Sequence, residues 1–174
     1  MEKIDAHVLK RVLDGGRRYL ELNANLLNNL NVFPVPDGDT GINMVATLRP
    51  GIDLATDPSV SSISEVSDRI TGSFSENSRG NSGFIMSQFF AGFFEAVREL
   101  DYIDAANLTR GFANGSYLAR TSMLSPVEGT MITIMAAMAD EFERTESEDI
   151  VDCLSAALAA ARRRIRETPD LLPI

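Results

Sequence analysis

The spacing of apolar residues constrains the fold of this chain more than any other feature, because most apolar stretches repeat at three- and four-residue intervals. This interval is typical of helices that bury one face. The only strand-like run, residues 32–35, contains Pro34 and is followed by Pro36, which suits a loop better than a sheet. The sequence therefore predicts an all-α protein.

The ends of several helices can be predicted from local signals. Ser62 and Glu65 form a capping-box pattern before the third helix, and Asp104 stands where it can cap the fifth. The adjacent Gly15 and Gly16 predict a close crossing of the first helix with another helix. The predicted helices cover approximately residues 5–30, 39 or 40–55, 62–74, 81–100, 104–120, 130–144 and 148–167.

Short connections between these helices predict an up-and-down arrangement in which each helix runs antiparallel to its neighbours. In such an arrangement the first, third and fifth connections emerge at the same end of the molecule. These connections carry the motifs NVFPVPDGDTG (31–41), ENSRGNSG (76–83) and SPVEGT (125–130). Each motif contains glycine and precedes a helix N-terminus, so we expect them to converge and attract an anion.

Length and composition limit the classes of protein that fit. The 174 residues, 44% of them hydrophobic, suit a single domain spanning residues 1–174. The formal net charge of -9 argues against a nucleic-acid partner. Cys153 is the sole cysteine, which excludes an internal disulfide and a CxxC metal site. We expect no membrane span, because no apolar run is long enough, and we expect a cytoplasmic location.

The first motif places two carboxylates, Asp37 and Asp39, one residue apart in a glycine- and proline-containing loop. Carboxylates on a tight loop suit Mg²⁺, and the N–H groups of the following helix suit the phosphates that accompany it. Both acids could instead be turn or capping residues. A cap needs one acid, however, and a second acid leaves two like charges together unless a cation bridges them. We therefore interpret the loop as a Mg-nucleotide site.

The other two motifs are weaker alone. In the second, Arg79 adds charge and the small residues 80–83 allow close approach to phosphate, although a flexible connection is the alternative. In the third, Gly129 permits close approach, and Thr130 is either an N-cap or a ligand hydroxyl. Met131 lies beside the predicted site, although a methionine at helical spacing is more often part of the core.

Together the three motifs, in this order and spacing, resemble those of the nucleotide-binding (DhaL-like) domain of the dihydroxyacetone kinase family. The resemblance is strongest to the fatty-acid kinase branch, whose motifs are close to NVFPVPDGDTG, GARGNSG and PVEGT. Asn77 and Ser78 replace the usual glycine and alanine of the second motif. The resemblance covers essentially the whole chain. It implies an antiparallel helical barrel, usually of eight helices, with ADP and two Mg²⁺ ions at one end.

The resemblance also implies roles for individual residues. Asp37 and Asp39 would bind Mg²⁺, with Asn31 as the nearest counterpart of a third metal-binding aspartate, and Arg79 would stabilise charge in the transition state. The remaining implied contacts are Thr40, Asn43 and Thr47 for phosphate or metal-bound water, Gly80, Asn81, Ser82 and Gly83 for the β-phosphate, and Gly129, Thr130 and Met131 for the nucleoside.

The implied reaction is ATP-dependent phosphoryl transfer to the carboxylate of a fatty acid held by a separate fatty-acid-binding carrier protein. Two alternatives remain: a nucleotide-binding or regulatory module without turnover, and the ADP-binding subunit of a dihydroxyacetone-type kinase. A phosphatase of the aspartate-dependent kind, which would use Asp37, Asp39 and Thr40, would require a strand before this loop. The resemblance further predicts an N-terminal fragment of a longer protein, one helix short of a closed barrel, and possible homodimerisation through other domains.

Overall fold

A computed structural model describes residues 1–173 and confirms the all-α prediction. The seven helices in this range are α1 (Ala6–Asn29), α2 (Thr40–Ala55), α3 (Ile63–Asn77), α4 (Gly80–Val97), α5 (Ala105–Thr121), α6 (Met131–Arg144) and α7 (Ile150–Leu171). An isolated antiparallel bridge joins Ile4 to Ile103, and the described residues contain no strand. Each helix packs against the next one in the chain, as expected for an up-and-down bundle.

Several predicted helix ends were wrong. The third helix continues past Phe74 to Asn77. The fourth begins at Gly80, within one residue of its predicted start, so only Ser78 and Arg79 connect it to the third. The small polar residues of this motif therefore form the first turn of α4. The seventh helix continues through Pro169 to Leu171.

Helix α7 tolerates Pro169 because a neighbouring side chain replaces the missing backbone donor. Proline cannot donate a hydrogen bond to the carbonyl four residues earlier, which here belongs to Ile165. The Thr168 hydroxyl donates to that carbonyl oxygen at 2.8 Å. The extra turn brings the end of α7 to the pole of the bundle where the three motifs lie.

The main core is formed by aliphatic side chains together with interlocking phenylalanines. Phe112 and Phe142 join α5 to α6 with ring centroids 4.3 Å apart, and Phe74 meets Phe90 edge to face at 5.3 Å. Edge-to-face and tilted arrangements are favourable for aromatic pairs. This core fixes the helices rigidly enough to present short connections at one pole.

Gly15 and Gly16 do not mark a helix crossing, which corrects that prediction. Both are exposed, and a Cβ at either would meet nothing within 4 Å. The close approach of α1 to α2 occurs at Gly41, where a Cβ would overlap the backbone carbonyl of Ala24. Glycine is thus required at this position, which is the last residue of the first motif and the second residue of α2.

Within the described residues, no Cα atom of α1 lies within 8 Å of a Cα atom of α7. Exposed apolar side chains lie on these two helices, among them Tyr19, Leu22, Leu158 and Ile165. No helix in residues 1–173 has both the length and the apolar character needed to cross a membrane.

Candidate functional site

The three motif-bearing corners converge on one cavity, as the topology predicted. This pole cavity has a volume of about 1010 Å³, at the upper end of the range for small-molecule sites. Of the residues predicted to form the site, Asn31, Asp37, Asp39, Thr40, Asn43, Gly80, Asn81, Ser82, Gly129, Thr130 and Met131 line it. Three others, Thr47, Arg79 and Gly83, do not.

The end of α7 also lines the pole cavity through Thr168 and Pro169, and so do Leu172 and Pro173, which follow the helix. These residues were not predicted as part of the site. The up-and-down topology contained the necessary signal, because a seventh helix that starts at the far pole must end beside the motif corners.

Asn31 organises the first corner. Its side-chain oxygen accepts a hydrogen bond from the Gly38 backbone N–H at 2.9 Å, and its amide nitrogen donates to the Val35 carbonyl at 3.2 Å. Gly38 has a φ of 69°, a left-handed conformation that glycine adopts without strain. These bonds fold the loop back on itself, so that Asp37 and Asp39 face the pole cavity.

Asp39 stands at the N-cap position of α2, but its side chain makes no capping hydrogen bond. The Asn28 side chain caps the helix instead, because its oxygen accepts from the backbone N–H groups of Gly41 at 2.8 Å and Ile42 at 3.2 Å. Neither Asp37 nor Asp39 forms an ion pair within residues 1–173. Both carboxylates are therefore available to a ligand.

Close packing of α4 against α2 shapes the second corner. Gly80 has a φ of 58°, and a Cβ there would lie 2.5 Å from the Asn43 side-chain nitrogen. A Cβ on Gly83 would overlap the Thr47 hydroxyl. Both glycines thus allow the first turn of α4 to sit directly against α2.

Thr47 is fully buried, and its hydroxyl is engaged within the protein. The hydroxyl donates to the Asn43 carbonyl at 2.8 Å and accepts from the Arg79 backbone N–H at 3.0 Å. The structure therefore gives Thr47 and Gly83 a supporting position behind the wall of the pole cavity. The Arg79 side chain is exposed and makes no capping bond to α4, and Arg79 does not line the cavity.

The third corner is held by a chain of hydrogen bonds that starts from Glu128. Its carboxylate pairs with Arg120 and accepts the Thr133 hydroxyl at 2.6 Å, and Thr133 in turn accepts the Gly129 backbone N–H at 2.9 Å. The Thr133 hydrogen bond, followed by the Arg120 guanidinium, lowers the pKa of Glu128 below its ordinary value. Thr130 occupies the N-cap position of α6, but its hydroxyl donates to the Val127 carbonyl at 2.7 Å.

The two ends of the bundle differ in how their helices are capped. The four helices that start at the far pole, α1, α3, α5 and α7, are each capped by the side chain of their own N-cap residue. Helices α4 and α6 start at the pole cavity and have no side-chain cap. Uncapped N-termini leave backbone N–H groups and partial positive charge for an anion.

The formal charge lining the pole cavity comes from Asp37 and Asp39 alone, since none of its described lining residues is lysine, arginine or histidine. Two carboxylates would repel a free polyphosphate, whereas a divalent cation bound to that polyphosphate would offset both charges. Residues 1–173 contain no group of three or more His, Cys, Asp or Glu placed to hold a metal alone. Mg²⁺ fits this donor set, because it usually combines one or two carboxylates with water and phosphate oxygens.

The helical bundle, with a cavity formed where its motif-bearing corners meet, defines a domain of the all-α class. A family model for the DAK2 domain matches residues 34–174, most of the chain. The chain therefore belongs to this family and is a nucleotide-binding domain of the dihydroxyacetone kinase type.

Curated relatives match over the full length of the chain. They include uncharacterized proteins of Staphylococcus haemolyticus and Staphylococcus epidermidis, each 34% identical over 176 residues, and one of Staphylococcus saprophyticus, 32% identical. The alignment covers 100% of this chain and 32% of each relative. The chain thus spans about a third of the length of these relatives.

Proposed function

We propose that the pole cavity binds Mg-ATP and that the domain supports transfer of the γ-phosphoryl group to the carboxylate of a fatty acid, giving an acyl phosphate and ADP. The observation that carries this proposal is the pairing of two free carboxylates with the uncapped N-termini of α4 and α6 in one cavity. The carboxylates suit the cation, and the helix termini suit the phosphates.

In the proposed arrangement Asp37 and Asp39 hold Mg²⁺, with Asn31 shaping their loop. The first turns of α4 and α6 supply backbone N–H groups to the phosphates, while Met131 and Gly129 border the nucleoside. The bound cation would offset negative charge on the phosphates. The N–H groups are already oriented by the bundle, so positioning and charge stabilisation are the protein's main contributions.

The acceptor chemistry requires no general base. A fatty-acid carboxylate is ionised at neutral pH, so one of its oxygens bonds to the γ-phosphorus as the bond to the ADP oxygen breaks. The total charge of -5 on carboxylate plus ATP equals that on acyl phosphate plus ADP, and no proton is transferred. This agrees with a cavity lined by no histidine within the described residues. A separate carrier protein would present the acyl chain, and Arg79 would reach the transferred group only after a side-chain movement.

The test is calorimetric titration of ATP, with and without Mg²⁺, into the wild-type chain and the Asp37→Asn and Asp39→Asn variants. Because each substitution removes one of two carboxylates, we expect it to weaken the Mg²⁺-dependent part of the affinity strongly, to leave a measurable remainder, and to leave the helical circular-dichroism signal unchanged. Asp101→Asn, an exposed substitution in the α4–α5 connection, is the charge-matched control. Equal affinity in wild type and both site variants would refute the proposed metal site.

Turnover distinguishes the two alternative functions. Mg-ADP binding without phosphoryl transfer to a fatty acid on its carrier would favour a binding or regulatory module. Transfer to dihydroxyacetone in the presence of its partner subunit would identify a ketone-kinase subunit. The longer relatives make it necessary to repeat the assay with the additional domains present.

A further inference from the structure

Helix α2 is capped by the side chain of Asn28, a residue of α1, and not by the side chain of its own N-cap residue, Asp39. We propose that Asn28 is a positioning residue: by capping α2 in place of Asp39, it keeps the Asp39 carboxylate free for the cation. This inference rests on the proposed binding of a Mg-nucleotide in the pole cavity.

The donors that Asn28 occupies are those an N-cap side chain normally uses. With Asp39 as N-cap, Gly41 and Ile42 are the second and third residues of the helix, and an N-cap oxygen typically accepts from one of these two N–H groups. The Asn28 oxygen accepts from both. Asp39 therefore has no vacant partner at the positions where its carboxylate would otherwise turn inward.

Other aspartates in the chain provide an internal comparison. Asp5, Asp104 and Asp149 are also N-cap residues, and each accepts a hydrogen bond from the first turn of its own helix. Asp5 and Asp104 do so with extended backbone, at ψ values of 179° and -176°. Asp39 has a ψ of 0° and makes no such bond. Among the four aspartates at N-cap positions of the seven described helices, only the Asp39 side chain accepts no hydrogen bond from its helix. At this helix alone, a residue from another helix, Asn28, accepts from the backbone N–H groups that the N-cap side chain would use.

The close crossing of α1 and α2 explains how Asn28 reaches these groups. Ala24 and Asn28 lie one helical turn apart, so both face the same side of α1. Ala24 is the residue whose carbonyl leaves no room for a Cβ on Gly41. The missing side chain at Gly41 thus brings the start of α2 within hydrogen-bonding distance of the Asn28 side chain.

An amide oxygen suits this task better than a third carboxylate would. It accepts both hydrogen bonds without adding negative charge beside Asp37 and Asp39. Capping by Asn28 therefore leaves Asp37 and Asp39 as the only charged side chains of the proposed cation site among the described residues.

The experiment compares Asn28→Ala with Asn29→Ala, which removes the same side chain from the next, exposed position. In titrations of Mg²⁺ in the presence of ADP we expect Asn28→Ala to weaken metal affinity about tenfold or more, the size typical of residues that orient metal ligands. Affinity for ADP without Mg²⁺ should change little, and Asn29→Ala should match wild type. Asn28→Asp restores an acceptor oxygen and should recover much of the lost affinity.

A cycle with Asp39→Asn tests whether Asn28 acts through Asp39. If it does, the double variant binds Mg²⁺ no more weakly than Asp39→Asn alone. Fully additive losses, or unchanged metal affinity in Asn28→Ala, would overturn the proposal. If the nucleotide affinity of the wild-type chain does not depend on Mg²⁺, the proposed function is refuted. Amide hydrogen exchange, which needs no metal, then still tests whether Asn28 caps α2.

Amide hydrogen exchange of Gly41 and Ile42 reports directly on which residue caps the helix. In the wild-type background Asp39→Ala should leave the protection of both amides unchanged, whereas Asn28→Ala should lower it. In the Asn28→Ala background, Asp39→Ala should lower the protection further, because Asp39 is then free to cap. Loss of protection in Asp39→Ala alone would show that Asp39 is the cap and contradict the inference without reference to any ligand.

Discussion

The backbone N–H of Arg79 donates to the Thr47 hydroxyl at 3.0 Å, which ties the connection between α3 and α4 to a buried position on α2. The same hydroxyl donates to the Asn43 carbonyl at 2.8 Å. One buried group thus joins two of the three corners of the pole cavity. The resemblance implied that Thr47 contacts phosphate, but the structure supports an indirect role in which Thr47 holds the second corner in place.

Replacing Thr47 tests this link. Thr47→Val keeps the shape of the side chain and removes both hydrogen bonds, which leaves the Arg79 N–H without its partner. We expect a loss of about 1–3 kcal/mol in the free energy of unfolding, measured by urea denaturation. Thr47→Ser keeps the hydroxyl and should lose less. A fully stable Thr47→Val together with a destabilised Thr47→Ser would show that packing of the threonine methyl group, and not the hydrogen bonds, provides the stability.

The contact between Gly83 and Thr47 predicts that the start of α4 cannot accommodate a side chain. Gly83→Ala would place a Cβ against the Thr47 hydroxyl, so we expect destabilisation of about 1–3 kcal/mol. Gly72→Ala is the matched control, because Gly72 is an exposed residue of α3 with nothing within 4 Å of its Cβ position. There we expect a gain of up to about 1 kcal/mol from helix propensity. The free energy of unfolding of both variants is measured by thermal or urea denaturation. A Gly83→Ala variant as stable as wild type would refute the close packing of Gly83 against Thr47.

The lowered pKa of Glu128 predicts that the stability of the folded protein depends on pH. Its pKa is lowered in the folded protein, chiefly by the Thr133 hydroxyl and then by Arg120. Because the folded-state pKa lies below the unfolded value, taken as the ordinary 4.5, the stabilisation is complete above that pH and disappears as the pH falls through the folded-state pKa. Glu128→Gln should therefore be less stable than wild type at pH 7, and the difference should shrink in acid.

The measurement is the urea midpoint at pH 7 and at a series of lower pH values that extends into acid. Glu146→Gln, an exposed substitution in the α6–α7 connection, is the control and should leave the midpoint at pH 7 unchanged. A wild-type advantage over Glu128→Gln that persists unchanged into acid would argue against the hydrogen-bonded carboxylate.

The position of Met131 in the pole cavity predicts a contribution to nucleotide affinity that is the same with and without Mg²⁺. It is half-buried, lines the pole cavity and packs on the smaller core cluster. If it borders the nucleoside, Met131→Ala should weaken affinity for ADP by about 1–2 kcal/mol through lost apolar contact. The loss should be the same with and without Mg²⁺, in contrast to Asp37→Asn. A loss confined to the Mg²⁺-bound nucleotide would instead place Met131 near the phosphates.

Much of the fold could be predicted from sequence because its determinants are local. Apolar spacing located the seven helices, and the Ser62–Glu65 capping box and the Asp104 cap are both present. Errors occurred at helix ends, where tertiary contacts compete with local preference. The Gly80 to Gly83 segment looks like a loop by composition, yet packing against α2 makes it the first turn of α4. Pro169 is a helix breaker, yet the Thr168 hydroxyl satisfies the Ile165 carbonyl and α7 continues.

The sequence by itself determined where the helices lie and, through their short connections, that the three glycine-containing motifs meet at one pole. Both follow from the periodicity of the chain and the alternation of helix direction. Only the tertiary structure decided which polar groups at that pole are free to act. Asn28 and Gly41 are 13 residues apart, and Arg79 and Thr47 are 32 apart. A hydrogen bond goes to the nearest suitable partner in space, so packing assigned the Thr47 hydroxyl to the interior and left the Asp39 carboxylate facing the cavity.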